Sequence, residues 1–512
     1  MKNIVETVIV SAAQMQQIEK QIFAAGMPVA ALMEKAAGLC CDRIIKLYPK
    51  SIYPSAGILV GPGHNGGDAL AIARELHLAG YQVKIFRPFF KLKSLTAQHA
   101  NYATSLGIGF NEEIESLQEC HILVDGLFGF GLTRDLPDNI IEAINSVNSW
   151  SKPIVSIDLP SGINTDTGKT MGGAIKATNT LCLGLWKRAF FQDVALEYLG
   201  KIARIDFGIL PHHIWSVLPK PAPIKQMNRA IASKFLPLPR PLVTHKYTQG
   251  HLLLVCGSRR YAGAAILTAL GARASGVGML SIAVPESLKM MMVSQIPEAL
   301  IVECPENKEG AIASLPFSVT ALEKFQAIAC GSGMTKDAKS VVEKVLSARC
   351  PIVLDADGLN ILAEHDVIEV LTQRESPTVL TPHEGEFKRL FPNLVEPSDR
   401  FDLIQTAASQ SNSIILFKGA RTAIANPQGS IWLIPESTPA LARGGSGDVL
   451  TGLTGGLVAQ AKNDSLLNIV ASAAWWHARS GILAAKEHTE LGVDATTLAQ
   501  YIQLAIKNSL KN

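Results

Sequence analysis

The chain has 512 residues, of which 47% are apolar and 18% charged, with a formal net charge of +3. That length exceeds one ordinary core and predicts two or three globular domains. No basic run is interleaved with aromatics, which argues against a nucleic-acid partner, and no apolar run is long enough to span a bilayer. Met1–Glu6 lacks the apolar core of a signal peptide, so a cytoplasmic protein without a membrane partner is expected.

The first half alternates helical patterns with short apolar runs. Helices are predicted over Ala12–Ala25 and Ala69–Ala79, and strands over Gly57–Val60, Val83–Phe86, Ile122–Asp125, Ile154–Asp158 and Leu181–Leu185. Such alternation predicts a parallel sheet covered on both faces, with ligands beyond the C-terminal strand ends. Three of those ends carry polar signals. Gly61-Pro62-Gly63-His64-Asn65-Gly66-Gly67-Asp68 reads as a Gly-rich strand-to-helix loop suited to a phosphate or dinucleotide, without the Rossmann glycine spacing. Asp125 and Asp158 each end an apolar strand, where an acid is costly unless it meets a partner or a metal.

A Pro-rich, weakly periodic stretch predicts a linker near residues 213–228. Alternation then restarts, with strands predicted over Leu252–Cys256, Met279–Val284, Ala327–Cys330, Ile352–Asp355, Thr378–Thr381 and Ile414–Lys418. Asp355 and Asp357 are candidates for placing a magnesium–nucleotide unit through water, or for capping the next helix. His383 follows a strand end fixed by Pro382, which favours substrate contact. Lys418 ends an apolar strand, so its ammonium needs an anion, and a nucleotide phosphate would serve. The run Gly444-Gly445-Ser446-Gly447-Asp448 leads into a helix-compatible stretch. Unpaired N–H groups at a helix start suit a phosphate, and Asp448 sits where a base acting on an attacking hydroxyl is needed. A glycine turn with a capping Asp is the other reading. None of the eight cysteines forms a Cys-x-x-Cys pair, so buried free thiols are expected rather than zinc ligands or disulfides.

Together these motifs resemble the bifunctional NAD(P)H-hydrate repair family over nearly the whole chain. The resemblance implies an α/β chain of two domains. Residues 1–220 would form a Rossmann-like three-layer NAD(P)H-hydrate epimerase domain. Residues 228–512 would form a ribokinase-like dehydratase domain that uses ADP or ATP. In the first, it implies potassium held by Asn65, Asp125 and Ser161. Substrate contacts would come from His64, Asn65, Gly66, Gly67 and Asp68, from Gly129, Phe130, Gly131, Leu132, Thr133, Arg134 and Asp135, and from Asp158. Asp158 or Asp125 would assist proton movement. In the second, it implies substrate contacts from Ala264, Gly333, His383 and the catalytic Asp448. Nucleotide contacts would come from Lys418, Gly419, Ala420, Arg421, Thr422 and Gly447, with magnesium on the nucleotide. It further implies the hydrated cofactors NADHX and NADPHX and an adenine nucleotide as small-molecule partners, and a homo-oligomer.

Two departures stand out. His64 replaces the first of two asparagines before the Gly pair, and Thr438-Pro439-Ala440-Leu441-Ala442-Arg443 replaces Asn-Pro-Gly-Met-Ala-Thr. The alternative reading is a ribokinase-superfamily small-molecule kinase fused to a nucleotide-binding sensor domain.

Overall fold

The computed structural model describes residues 5–319, 321–394, 399–462 and 464–510. It divides into two compact units, Met1–Pro223 and Ile224–Asn512.

The first unit is built on seven strands: β1 (Ser55–Val60), β2 (Gln82–Phe86), β3 (Gly109–Asn111), β4 (Ile122–Gly126), β5 (Ile154–Ile157), β6 (Asn179–Leu183) and β7 (Lys201–Ile205). Their spatial order is β3-β2-β1-β4-β5-β6-β7, and every pairing is parallel. Strands β1, β4 and β5 are buried along their whole length. One apolar cluster packs Ile44, Leu70 and Ile72 against one set of strand residues. A second packs Ile140, Ile144 and Val147 against the alternate set. The sheet is therefore covered on both faces, as continuous apolar strands require. The order of strands runs outward in both directions from β1 and β4, which opens a crevice beyond their C-terminal ends.

Three helices wall that crevice: α1 (Ala12–Ala24), α2 (Val29–Leu47) and α3 (His64–Leu78). Ser11 caps α1 through a reciprocal box with Gln14. Helix α3 starts five residues earlier than its apolar pattern predicts, so His64–Asp68 form its first turns rather than a loop. Gly66 explains the early start. A Cβ there would lie 2.0 Å from the Gly61 carbonyl oxygen, so only glycine lets the helix abut the strand exit.

The second unit carries ten strands: β8 (Ile224–Gln226), β9 (His251–Val255), β10 (Met279–Pro285), β11 (Leu300–Cys304), β12 (Ala327–Cys330), β13 (Ile352–Leu354), β14 (Thr378–Leu380), β15 (Ile414–Phe417), β16 (Ala423–Ala425) and β17 (Ile431–Leu433). Their order is β8-β17-β16-β15-β14-β13-β12-β9-β10-β11. Only the β15–β16 and β16–β17 pairings are antiparallel. The predicted linker is corrected at both ends. Residues Pro211–Trp215 are helical, and Ile224–Gln226 join the second sheet beside β17. Prolines 219, 221 and 223 hid this short strand, because its ladder is completed by residues two hundred positions away.

Helices α4 (Ala262–Ala274), α5 (Glu384–Leu390), α6 (Ser446–Ala459) and α7 (Leu466–His488) carry or support the second site. All eight cysteines are free and buried. Among the described residues, no single helix is long and apolar enough to cross a membrane.

Candidate functional site

In the first unit a cavity of about 480 Å³ opens between α1, α2, the start of α3 and the loop after β4. Asp158 is the first residue past β5 and takes a left-handed backbone, φ +68°. The Leu159 N–H closes a three-residue turn onto the Ile157 carbonyl around it. Such a turn is uncommon and strained, and it persists where surrounding contacts fix it. The contacts here are strong. Lys187 Nζ lies 2.5 Å from Asp158 Oδ1 and also donates to the Leu183 carbonyl. The Phe130 N–H donates to Asp158 Oδ2 at 3.0 Å. Burial opposes the Lys187 charge, but Asp158 outweighs it and raises the ammonium pKa.

Asn65 and Asp158 meet at one point, since a Cβ on Gly129 would lie 3.1 Å from an oxygen of each. His64, Asn65, Asp68 and the Gly129–Leu132 segment line the cavity. Thr133, Arg134 and Asp135 are exposed and do not line it. Gly66 and Gly67 are buried inside α3 and serve its packing. Burial, with some help from Lys93, lowers the His64 pKa, so its ring faces the cavity as neutral imidazole. Burial first, then the charges of Asp158 and Glu19, push the Asp68 carboxyl well up.

Asp125 lies beneath this wall, fully buried. Ser161 Oγ donates to its Oδ1 at 2.5 Å, and the Ser161 N–H and Ser156 hydroxyl donate to its Oδ2. Burial raises its pKa, partly offset by Ser161. No Lys, Arg or His among the described residues pairs with it. The Leu127 N–H also donates to its Oδ1 at 3.2 Å, so two serine hydroxyls and two backbone N–H groups surround this carboxyl.

In the second unit the strand-end residues converge on the start of α6. Gly445 caps that helix at φ +91° and makes no side-chain capping bond. Asp448 is therefore not the capping residue. It sits in the first turn, where the helix dipole favours negative charge. Burial, then the nearby Asp355 charge, raise its pKa to about 6, against the lowering effects of Ser332 and Lys418.

Lys418 has a countercharge within the protein, Asp355. Its Nζ lies 2.7 Å from Asp355 Oδ1 and 3.7 Å from Glu386 Oε2. Thr451 on α6 donates to Asp355 Oδ2 at 2.6 Å. Burial pushes the Asp355 carboxyl up, but Lys418 more than reverses this and holds it below the usual range. A Cβ on Gly447 would lie 3.7 Å from Lys418 Nζ, so this ion pair abuts the helix start. Asp357 is engaged with the Thr335 N–H at 2.9 Å. Among the described residues no group of three His, Cys, Asp or Glu could hold a metal ion.

Gly333 and Ala264 touch one wall of this region, since a Cβ on Gly333 would lie 2.7 Å from the Ala264 Cβ. His383 caps α5, where its Nδ1 accepts from the Gly385 N–H at 3.0 Å, while its ring is more than half exposed. Gly419 and Ala420 follow β15 in the turn that also carries Arg421 and Thr422. Arg443 is turned away: its Nη1 donates to the Leu491 and Val493 carbonyls, both at 2.9 Å. It thus pins a C-terminal loop.

Four contributors escaped the sequence reading: Lys187, Glu19, Thr451 and His477. His477 on α7 is buried, and burial lowers its pKa to about 4. Its Nε2 lies 2.9 Å from the Ser446 carbonyl, so Nε2 carries the proton and holds the loop from behind. No local motif marks any of them.

Known families match both units. The description "NAD(P)H-hydrate dehydratase" covers residues 252–504, and "YjeF-related protein N-terminus" covers residues 29–189. A Synechocystis protein named bifunctional NAD(P)H-hydrate repair enzyme Nnr is 53% identical over 494 residues, covering 96% of this chain and 94% of that protein. A relative of the same name from Thermosynechococcus vestitus is 49% identical, covering 98% of each chain. A solved structure of the ADP/ATP-dependent NAD(P)H-hydrate dehydratase from Bacillus subtilis, co-crystallised with ATP and magnesium, is 32% identical with a TM-score of 0.47, covering 56% of this chain and 98% of that one. With both halves matched and relatives aligned end to end, the chain belongs to the family of bifunctional NAD(P)H-hydrate repair enzymes.

Proposed function

We propose that the two units repair hydrated nicotinamide cofactors in sequence. Met1–Pro223 interconverts the R and S forms of the hydrate, and Ile224–Asn512 dehydrates the S form at the expense of ADP or ATP. The observation that carries this reading is the placement of Asp448. It is a carboxylate with a pKa near 6 at a helix start, backed by the Lys418–Asp355 pair.

In the second unit Asp448 accepts the proton of the ring hydroxyl as its oxygen attacks the terminal phosphorus of the nucleotide. The N–H groups of Gly447 and Asp448 at the helix start face the transferring phosphoryl group, while the Ser446 N–H is held by the Arg443 carbonyl. Lys418, with Gly419 to Thr422 and Gly447, holds the nucleotide. Ala264, Gly333 and His383 position the hydrated ring. The C–O bond then breaks with phosphate as leaving group as the lone pair of the adjacent ring nitrogen forms a C=N bond, and the neighbouring ring CH2 gives up a proton to the departing phosphate, which forms the ring C=C bond and returns the lone pair to nitrogen. The products are NADH or NADPH, phosphate and the shortened nucleotide. Magnesium on the nucleotide would neutralise phosphate charge.

In the first unit, Asn65, Asp125 and Ser161 would hold potassium. Its charge would compensate the buried Asp125 and fix the loop Leu127–Gly129 that donates to the site. His64, Asp68, the Gly129–Leu132 segment and Asp158 bind the hydrate. Assembly with copies of itself and a cytoplasmic location complete the proposal.

The test is recovery of reduced-nicotinamide absorbance from a mixed R/S preparation with magnesium, potassium and either nucleotide. Full recovery supports the two-unit reading. Recovery of the S share alone means the first unit does not epimerise. No recovery with either nucleotide favours the kinase fused to a sensor domain.

A further inference from the structure

Asp158 is one of two acids in the first unit that the strand-end pattern marks, and it lines the cavity, yet it is poorly placed to exchange protons. Both of its oxygens are occupied, by Lys187 Nζ and by the Phe130 N–H, and its partner Lys187 is wholly buried. A different carboxyl faces the same cavity. Glu19 lies on α1, one turn after the capping box, and lines the wall with Gln16, Lys20 and Phe23. It makes no hydrogen bond or ion pair to another protein group among the described residues, so its carboxyl is available to a ligand.

We propose that Glu19 is a catalytic residue of the epimerase, acting as a carboxylic acid that moves one proton out and one proton in at the same ring carbon. This inference rests on the epimerase reading of the first unit. The hydroxyl-bearing carbon is also bonded to the ring nitrogen, so the hydrate is a cyclic hemiaminal. One oxygen of the protonated Glu19 carboxyl gives its proton to the ring nitrogen, and the other accepts the hydroxyl proton. The C–N bond breaks, the C–O bond becomes a carbonyl, and Glu19 ends protonated as it began. Rotation about the adjacent C–C bond presents the other carbonyl face. The reverse transfer then closes the ring as the opposite epimer. No oxidant, reductant or water is consumed. A single carboxyl suffices because both exchanging atoms hang on one carbon.

The cavity keeps this acid protonated near neutrality. Burial pushes the Glu19 carboxyl up to about 7, Lys187 pulls it down, and Asp158 pushes it up again. Asp68 and His64 from α3, Lys93 from the loop after β2 and Lys20 from its own helix face the same space. Burial also pushes the Asp68 carboxyl well up and the His64 ring down.

The test uses the full chain and follows R-to-S conversion above the uncatalysed background, with S dehydration as an internal control. Wild type should epimerise best below about pH 7 and decline above it. Glu19→Gln should lose on the order of 10²-fold in epimerisation, lose that pH limb, keep its dehydratase rate and keep its unfolding midpoint. Glu19→Asp should recover part of the rate and the limb. Epimer formed in oxygen-18 water should retain its original oxygen. Glu19→Gln or Glu19→Asp with wild-type rate and limb, or full oxygen exchange with each conversion, would overturn the proposal. Failure of wild type to epimerise would instead remove the epimerase reading itself.

Discussion

Lys187 Nζ and Asp158 Oδ1 lie 2.5 Å apart with side chains 0% and 4% exposed, and they join the segment that follows β6 to the left-handed turn after β5. A pair this buried contributes little net stability against a matched apolar pair, but losing one partner strands a charge. Lys187→Met should therefore destabilise the first unit by about 3–5 kcal/mol. Adding Asp158→Asn should restore most of that stability without restoring epimerisation. Denaturant unfolding of the single and double variants checks both statements. Simple additivity of the two losses would contradict the coupling.

The raised carboxyl of Asp448 links activity to stability. Its pKa rises from 3.8 to about 6 on folding, so the folded state prefers the protonated form. That preference is fully expressed below the unfolded value and is lost as pH rises through the folded one. Asp448→Asn should thus gain on the order of 2–3 kcal/mol at pH 8 relative to wild type, and nothing at pH 3. Dehydration by wild type needs the ionised base and should fall below about pH 6. Melting curves and kcat/KM profiles across that range check the two signs together.

Gly445 holds the turn that aims the first N–H groups of α6. At φ +91°, a Cβ would lie 2.4 Å from Leu267 Cδ1. Gly445→Ala should rotate or displace the helix start and reduce dehydration by on the order of 10²-fold, the cost of losing one aligned donor. Epimerisation should be unchanged. A dehydratase rate within threefold of wild type would show that the turn tolerates the methyl group.

Much of this was legible beforehand because the chemistry sits at strand exits. Gly-rich runs and acids after apolar stretches marked Asn65, Asp125, Asp158, Asp355 and Asp448, and the parallel sheets carry them to two rims. What escaped has one cause: its meaning is non-local. Lys187 follows an unremarkable strand and gains significance only when the chain returns it to Asp158. Glu19 looks like any solvated position of an amphipathic helix until α1 is packed over the crevice. Strand β8 is three residues in a Pro-rich run and becomes a strand only beside β17. The early start of α3 was hidden because paired glycines oppose helix in isolation, while close approach to Gly61 demands Gly66 and the Met33 side chain crowds Gly67 here.

Potassium should matter to one unit alone. Replacing it with a bulky organic cation should slow R-to-S conversion several-fold and leave dehydration untouched. Asp125→Asn should remove the dependence, since the amide no longer needs a countercharge. Epimerisation indifferent to the cation would remove the metal from the first site.

The central claim is that two separable sites act on one cofactor, and chromatographic tracking of both epimers in two variants tests it most directly. With nucleotide present, Asp448→Asn should still interconvert R and S while forming no reduced cofactor. Asp158→Ala should consume the S form and leave the R form behind. Loss of both activities together in either variant would contradict the account.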